Sequence, residues 1–599
     1  MELLRLLDGE LVRKPFISAF DRRCTVLCVG AGSAGVYAAD AAARNGAHVI
    51  LLENDVTVGG MHILGNVQGC YYGFRGGSFE ADSPPEDASF HFKVDKKQIL
   101  QLERLEESGV QLLCGCTPSG VLVEENRVVG LLAFDGQREL AIGADFMIDA
   151  TSDGFLLRML PVEKFYGRPR DGKMAPYSVI TTVFDGEKYR RINRDAGYID
   201  PYDNDDFSRK ALLAHEQAAD QLDKGFLNLA THTGVREGLR FAGEETLRYT
   251  DAVLQRKPEK ILFWAYSDLD LHGHLRALDE ELFQTWWVLC NMATVALRIP
   301  VPMGAVVPRG WRGIATAGRC LSADSYAQSA VRMNRDCFRM GQCVGTAAAM
   351  AKDGDLLGID YADYLSRVRD CFAGDESRAM GYDSPQRNIP YRPVEPDWEK
   401  NLHLLNTDTP GAFFWSAYCC EDKAALAQKL LDMEPTHNIG LALGVMGDKR
   451  ALPMLRKIVE NRDAYWFKDC RRSNQFRSVM AVCLLGRLGE AEDIDRLWEI
   501  VFEDGEFERP MYHSLEPNRL YYGGRDRNVL YFDMFTHAAA ALVKLHRRLG
   551  VSMEPLHKAF GCLDRQRLLE RTAPGCRPEQ TPYAETVDFL EEMLRATSQ

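Results

Sequence analysis

The chain holds 599 residues, more than one hydrophobic core accommodates and enough for two or three domains. Hydrophobic residues make up 46% and charged residues 26%, an ordinary globular composition, while a formal net charge of -14 argues against nucleic acid or an anionic membrane, which need a basic surface. The opening MELLRLLDGELVRKPFISAF interleaves charges with apolar positions, unlike a signal peptide. The best candidate for a membrane span, GQCVGTAAAMA from Gly341, stops at Lys352, short of the roughly 20 residues a membrane helix needs. The 16 cysteines are scattered, with Cys114-x-Cys116 and Cys419-Cys420 but no C-x-x-C, so they read as reduced and buried, with no metal implied. The expectation is a soluble, cytoplasmic protein with no nucleic-acid or membrane partner.

Cys24 to Val29 is a short apolar run with the pattern of a buried strand. The turn GAGSAG follows, with Gly30, Gly32 and Gly35, and Ser33 to Asn45 is rich in helix formers that Gly46 ends. His48 to Glu53 reads as a second buried strand. In this setting Gly30 permits the tight turn, Gly32 lets phosphates approach the backbone, and Gly35 lets helix and strand pack closely. Ser33 and Ala34 stand where the helix begins, and a pyrophosphate is favoured there by unpaired N–H groups and the dipole. Glu53 lies 53−35 = 18 residues past the last glycine, near the distance for an acid on a ribose hydroxyl, and it would repel the 2′-phosphate of NADP. A glycine turn kept only for packing is the plainer reading; strands, helix and acid in register outweigh it.

Three further segments favour FAD over NAD, because an extended FAD touches residues distant in sequence. NDVTVGGMHILGNVQGCYYGFRGG carries Gly59, Gly60 and Met61, then Gly65, Gly69, Gly73, Gly76 and Gly77, and suits a loop along a large flat ligand. FMIDATSDG is an apolar strand ending at Ala150 and Thr151, with Asp153 placed for the ribityl or phosphate region. From Gly313, a short strand ends at Gly318 and Arg319, and a small-residue helix is expected to start near Gly341 and Gln342. Its N-terminus would stabilise negative charge on the flavin N1–C2=O edge, while Gly341 and Gly345 equally suit close helix packing.

Together the GAGSAG turn with Glu53, Gly59-Gly60, IDATSDG, GVREGLRFAGEETL and AGRCLS…GQCVGTAAA resemble the FAD-dependent oxidoreductase family, in the branch near the flavoprotein subunit of fumarate reductase. The resemblance covers roughly Thr25 to Lys352. It implies FAD bound through Gly30, Gly32, Gly35, Glu53, Gly60, Thr151, Asp153, Gly318, Arg319 and Gln342, an assignment that extends to Ser33, Ala34, Gly59, Met61, Thr117, Ala150 and Gly341. Ser152 stands where relatives usually carry glycine and is expected to tighten the local backbone. His62 is close to where some fumarate-reductase-type subunits carry a flavin-linked histidine, but the register is one residue off and no covalent link is expected.

Between Gly154 and Gly313 the fold analogy assigns a cap over the flavin. Arg236 and Arg240 are four apart and share a face if their segment is helical, where they could clamp a carboxylate or hydroxyls or deliver a proton. Structural ion pairs with Glu237 and Glu244 are the plainer reading. His272 and His274 flank a glycine, with Asp268 and Asp270 nearby, and histidine can cycle protons near neutral pH; a polar surface turn is the alternative. Arg332 is placed for the flavin pyrimidine edge or the substrate. No second G-x-G-x-x-G appears, so electrons are expected to pass to a small diffusing partner or a separate protein, an electron donor or acceptor of unspecified kind.

Ser384 to Pro410 is proline-rich and reads as a linker. Beyond it LGVMGDKRALPMLRKIV at Leu443 and LGRLGEAEDIDRLWEIV at Leu485 match at an offset of 485−443 = 42, aligning Gly444 with Gly486, Gly447 with Gly489, Leu455 with Leu497 and Val459 with Val501. The period resembles HEAT-like repeats, with a third helix from His537. The expected fold class is α/β: a Rossmann-like FAD-binding domain (1–154 and 305–383), a cap (155–304), a linker (384–410) and an all-α HEAT-like domain (411–599). The expected activity is hydride transfer between flavin N5 and a small polar organic substrate, by oxidation of a hydroxyl, sugar-like in character. A fumarate-reductase-like reduction of an activated C=C bond is the alternative. A flavin-containing interaction or sensor protein, using the helical region, represents another class, and homo-oligomerisation is left undecided.

Overall fold

The computed structural model describes residues 1–67, 69–79, 94–168, 172–187, 189–272, 280–380, 388–389, 394–470, 474–503, 527–562, 591–593 and 595. The chain divides into two compact units, residues 1–271 with 296–392 and residues 272–295 with 393–599. The segments expected to form the flavin-binding and cap domains fall in the first unit, apart from 272–295, which groups with the C-terminal helices. No helix among the described residues is long and apolar enough to cross a membrane.

The first unit begins with strands β1 (Glu2–Leu7), β2 (Glu10–Pro15), β3 (Arg22–Val29), β4 (Val49–Leu52), β5 (Phe74–Arg75), β6 (Gln111–Leu113), β7 (Thr117–Glu124), β8 (Arg127–Phe134) and β9 (Glu139–Asp149). It continues with β10 (Lys164–Phe165), β11 (Ser178–Phe184), β12 (Tyr189–Asp195), β13 (Phe226–Leu229), β14 (Arg240–Phe241), β15 (Ile261–Ser267), β16 (Leu297–Pro302), β17 (Ile314–Thr316), β18 (Asp375–Met380) and β19 (Asn388–Ile389). The main sheet runs β2-β1-β7-β8-β9-β3-β4-β6, with β17 beside β9. β3 pairs in parallel with β4 and β9, and β4 in parallel with β6. Along one edge, β9 pairs antiparallel with β8 through its first residues and parallel with β17 through its last three.

Parallel strands are covered on both faces, which is why β3 and β4 read as unbroken apolar runs rather than alternations. Val26, Leu27, Cys28, Leu51 and Leu52 are all fully buried. Leu27, Val29, Ile50 and Leu52 join Ile142, Met147, Leu156, Leu239 and Phe241 in one core. The Gly35–Arg44 helix packs on β3 and β4, and the Asn334–Met350 helix packs on it in turn. A Cβ on Gly341 would overlap the Ala34 carbonyl, and one on Gly345 the Ala38 carbonyl, so these glycines allow direct backbone contact between the helices.

Two local expectations are corrected. The small-residue helix starts at Asn334, about two turns before Gly341, after extended Met333 (φ −65°, ψ 144°). Asp336 in its first turn suits the positive end of the dipole, a signal masked by the small residues further on. GVREGLRFAGEETL is not helical: β14 lies within it and pairs antiparallel with β10. Gly234, Gly238 and Gly243 weaken helix propensity there, and each has a close neighbour where a side chain would go, such as Asp153 Oδ1 at 2.7 Å from a Cβ on Gly238.

The second unit is helical over Gly411–Cys419, Lys423–Leu431, His437–Val445, Leu452–Glu460, Arg477–Leu488, Glu492–Trp498, Arg527–Leu549 and Glu554–Gly561. The two matched segments use their first glycine alike. A Cβ on Gly444 would lie 2.7 Å from Leu484 Cδ1, and one on Gly486 2.7 Å from Ala541 Cβ, so each glycine admits a later helix of the unit, Arg477–Leu488 and Arg527–Leu549 respectively. Their second glycines differ: Gly447 turns at φ +88° and Gly489 at φ −55°. Segment 272–295 is held by Asn291, whose Nδ2 donates to Asp469 Oδ2 (2.8 Å) and Asn474 Oδ1 (3.0 Å) while its Oδ1 accepts from Gln475 N (2.7 Å). Arg487 adds bonds to Thr285 Oγ1 (2.8 Å) and Gln284 Oε1 (2.9 Å). Of the expected linker, residues 384–387 and 390–393 lie outside the described residues, and Trp398–Asn401 forms a short helix.

Candidate cofactor and substrate site

β3 ends at Gly30, whose φ of +96° turns the chain into the Gly35–Arg44 helix. A Cβ on Gly30 would stand 2.7 Å from the Ala150 carbonyl oxygen, and one on Gly35 would overlap the Gly30 oxygen, so both positions are filled by backbone. Gly32 differs: the nearest atom to a Cβ there is Gly60 Cα at 3.9 Å. Gly318, at φ +123°, is similarly open, with Ser152 Oγ at 3.7 Å and Ala34 Cβ at 3.9 Å. Gly59 donates its N–H to Ala31 O (2.9 Å). The turn Gly30-Ala31-Gly32-Ser33-Ala34-Gly35, Gly59-Gly60, Ser152 and Gly318 thus form one backbone-lined cradle, with space at Gly32 for a ligand to approach a helix N-terminus.

Glu53 closes this cradle from the end of β4. Its Oε2 accepts from Ala31 N (2.6 Å) and its Oε1 from Asp55 N (3.0 Å). An ionised carboxylate has about four acceptor sites, so these two bonds leave capacity for a ribose hydroxyl. Met61 lies in the short Gly60–Ile63 helix and folds over Gly65. Thr117 opens β7, exposed, one residue after Cys116, whose N–H bonds the Glu53 carbonyl (2.9 Å). Ala150 N bonds Val29 O (2.8 Å), and Thr151 Oγ1 donates to Asp149 Oδ1 (2.6 Å). Ser152 sits at φ +64°, the left-handed region that glycine enters without penalty.

Asp149 has no place among the sequence candidates and organises this corner. Fully buried, it accepts from Thr151 N, Leu156 N and Leu157 N, and burial pushes its carboxyl above the usual range against those bonds. Its run FMID reads as apolar strand, which is why the acid escapes notice. Asp153 pairs with Arg319, and its carbonyl accepts from Tyr202 OH (3.0 Å). Gln342 does not head a helix; its Oε1 accepts from Ser78 N (2.8 Å) and ties down the glycine-rich loop.

Arg236, Arg240, Arg319 and Arg332 are largely withdrawn from solvent, each beside a carboxylate. Arg236 pairs with Asp195 (2.6 Å) and bonds Ser178 Oγ and the Pro176 carbonyl. Arg240 pairs with Glu237 (3.0 Å) and donates to the Ala323 carbonyl (2.9 Å) and to Gly167 O. The expected Glu237 pair therefore exists for Arg240, while Glu244 instead accepts from Gly310 N (2.6 Å). Arg319 also donates to Val235 O (2.6 Å). Arg332 holds Asp270 through its carboxylate (2.8 Å) and its carbonyl (3.2 Å). Burial lowers the Arg332 guanidinium below its ordinary range; Asp270 opposes this, and Arg236 and Arg319 add to it. Burial raises the Glu237 carboxyl, against the charges of Arg240, Arg332 and Arg168. Arg168, only 2% exposed, was not legible as a site residue.

His272 is half-buried and opens the second unit; His274 lies outside the described residues. His62 is fully buried, edge-on to Phe338 (5.0 Å) and Phe79 (6.0 Å), with Nδ1 3.2 Å from Val67 O. Burial pushes its pKa down to about 3, so it is a neutral core histidine. Among the described residues no group of three or more His, Cys, Asp or Glu is arranged to hold a metal.

A family model described as FAD dependent oxidoreductase matches residues 25–223 and 206–364 of the chain. No curated protein matches. Among solved structures, THI4 of Thermovibrio ammonificans is 20% identical over 23% of this chain and 61% of its own, with a TM-score of 0.20. L-proline dehydrogenase from P. horikoshii is 18% identical over 23% of this chain and 24% of its own, with a TM-score of 0.18. A geranylgeranyl bacteriochlorophyll reductase-like protein from Thermoplasma acidophilum is 11% identical over 73% of this chain and 99% of its own, with a TM-score of 0.29. The family match runs over more than half of the 599 residues and begins at the strand that leads into the glycine cradle. The chain accordingly belongs to the FAD-dependent oxidoreductase family, an enzyme with FAD as its cofactor.

Proposed function

We propose that this enzyme oxidises a hydroxyl group of a small polar, sugar-like organic molecule. The observation that carries the reading is the density of polar side chains wholly or largely withdrawn from water in the unit that holds the cradle: Arg236, Arg240, Arg319 and Arg332 with Asp195, Glu237 and Asp270, and the half-exposed Asp153 on Arg319. Such groups leave water only where hydrogen bonds repay their desolvation, and a polar ligand completes sites of that kind. Gly30, Gly32, Gly60, Gly318 and the helix N-terminus at Ser33-Ala34 would hold the FAD phosphates, with Glu53 on a ribose. When bound, the flavin supplies a hydride acceptor or donor. Arg319 and Asp153 link cradle to polar cluster, since Arg319 adjoins Gly318 and Asp153 follows Ser152. Arg332 and Asp270 orient substrate oxygens.

A second reading, reduction of an activated C=C bond in the manner of fumarate reductase, is favoured by the guanidinium groups themselves, which match carboxylates bidentately. Anaerobic titration decides between the two. Bleaching of the oxidised flavin band by aldoses, polyols or hydroxy acids supports the first; reoxidation of chemically reduced enzyme by an unsaturated carboxylate, with no bleaching by alcohols, supports the second. In the C-terminal unit, the like placement of Gly444 and Gly486 supports a HEAT-like stack. A cytoplasmic location and a separate electron partner complete the reading.

A further inference from the structure

Oxidation of a hydroxyl needs a group that takes its proton, and the glycine-rich loop after Gly60 meets the end of β15 at a pair suited to that task. Tyr71 donates its hydroxyl to Asp268 Oδ2 at 3.0 Å. Asp268 is 1% exposed, whereas Tyr71 is half-buried, so the phenol is the accessible end of the pair. An aromatic ladder fixes it: Tyr71 stands edge-on to Tyr72 (4.7 Å), Tyr72 edge-on to Tyr266 (5.7 Å), and Tyr266 stacks on Phe74 (4.5 Å).

The loop is pinned to the start of the Asn334–Met350 helix. Asn334 Nδ2 donates to Val67 O (2.6 Å) and Gly69 O (3.0 Å), and a Cβ on Gly73 would lie 2.7 Å from the Arg335 stem. Two residues after Asp268, Asp270 grips Arg332, which stands two residues before the first residue of that helix. Tyr71, Asp268, Asp270 and Arg332 are thereby tied to one helix N-terminus by two different loops.

We infer that Tyr71 and Asp268 form the proton-handling couple of this oxidoreductase, an inference that rests on the hydroxyl-oxidation reading. The substrate hydroxyl gives its proton to the Tyr71 oxygen as Tyr71 passes its own proton to Asp268 Oδ2. The C–H bond breaks with its electron pair leaving as hydride, for which bound FAD would be the acceptor, and the C=O bond forms, so the alcohol loses one proton to the Tyr71–Asp268 pair and one hydride to the cofactor. A phenol alone, with an ordinary pKa near 10, is a poor base at neutral pH; a carboxylate bonded behind it accepts the proton in the same motion.

The test uses FAD-loaded Tyr71→Phe, Asp268→Asn and Tyr72→Phe, each with flavin content checked against protein, under an anaerobic panel of aldoses, polyols and 2-hydroxy acids. Tyr71→Phe and Asp268→Asn keep their flavin, bleach roughly a hundredfold or more slowly than wild type with the panel member that reduces it, and lose its solvent deuterium isotope effect. Tyr72→Phe behaves as wild type. Flavin emission needs no substrate: phenols quench excited flavin by electron donation, so Tyr71→Phe brightens it more than Tyr72→Phe does. Wild-type rates in Tyr71→Phe, or emission unchanged by it, overturn the inference. If no panel member bleaches wild type, the hydroxyl-oxidation reading falls, and emission alone then decides whether Tyr71 faces the flavin.

Discussion

The glycine cradle and the arginine cluster share one unit but are built by opposite means. The cradle is made of backbone: Gly30 and Gly35 give their side-chain space to carbonyl oxygens, Gly32 leaves its space empty, and one acid, Glu53, braces the turn. The cluster is made of long side chains, each paired with a carboxylate and bonded to a main-chain carbonyl. A backbone device needs only a short run of residue types and announces itself locally. Apart from the Arg240–Glu237 pair, three residues apart and visible in the sequence, such a side-chain device takes partners from far along the chain, as Arg236 takes Asp195 and Arg319 takes Asp153, and nothing local announces them.

The sharpest way to break this contrast is within the cradle. Gly35→Ala drives a methyl into the Gly30 carbonyl, so we expect a loss beyond about 4 kcal/mol and no flavin-loaded soluble protein. Gly32→Ala, whose Cβ clears protein by 3.9 Å, leaves thermal stability of the apoprotein within about 0.5 kcal/mol yet weakens FAD binding at least tenfold, about 1.4 kcal/mol. If Gly32→Ala binds FAD normally, the cradle does not hold the cofactor as proposed. In the cluster, Arg240→Ala strands Glu237, a carboxyl 1% exposed, and should destabilise by about 3–5 kcal/mol in denaturant unfolding. Arg240→Ala combined with Glu237→Gln should recover part of that loss, because the charge left behind is gone.

Two buried groups, one in each unit, should also answer pH in opposite senses. His62, in the first, has its pKa depressed from 6.5 to about 3, so the folded state binds fewer protons and stability falls as pH drops from about 6.5 toward 3. Asp469, in the second, is raised by burial from 3.8 to about 6, so the folded state binds more protons and stability falls as pH rises from about 4 to 6. Hydrogen exchange compared between wild type and variant across pH 4 to 6.5 should isolate each dependence, with His62→Phe removing the first from its unit and Asp469→Asn the second from the other. The smallest effect is at Ser152→Gly: release of the left-handed backbone, about 1 kcal/mol, is offset by glycine's greater unfolded-state freedom, leaving a net change within about 0.5 kcal/mol by thermal melt.

The strand–turn–helix–strand unit was legible to within two residues, because buried parallel strands are continuously apolar and only glycine satisfies the turn. The helix at Asn334 was misplaced because Gly341 and Gly345 look like a beginning when they are a packing face. Arg236 and Arg240 were noticed for a helical spacing that three nearby glycines forbid, and their partners Asp195 and Glu237 came from β12 and from within the same extended segment. Asp149 was hidden inside an apolar strand.

The amino-acid sequence by itself determined the dinucleotide-binding turn, the acid after it, the ordered flavin motifs and the 42-residue recurrence, since each depends on residue types at short, fixed spacing. Only the tertiary structure decided that Asp195 neutralises Arg236, Asp153 Arg319 and Asp270 Arg332, that residues 272–295 join the C-terminal helices through Asn291, and that Tyr71 reaches Asp268. Those choices are pairings between side chains up to about two hundred residues apart, and they come into being only when folding excludes water and each buried polar group must find a partner.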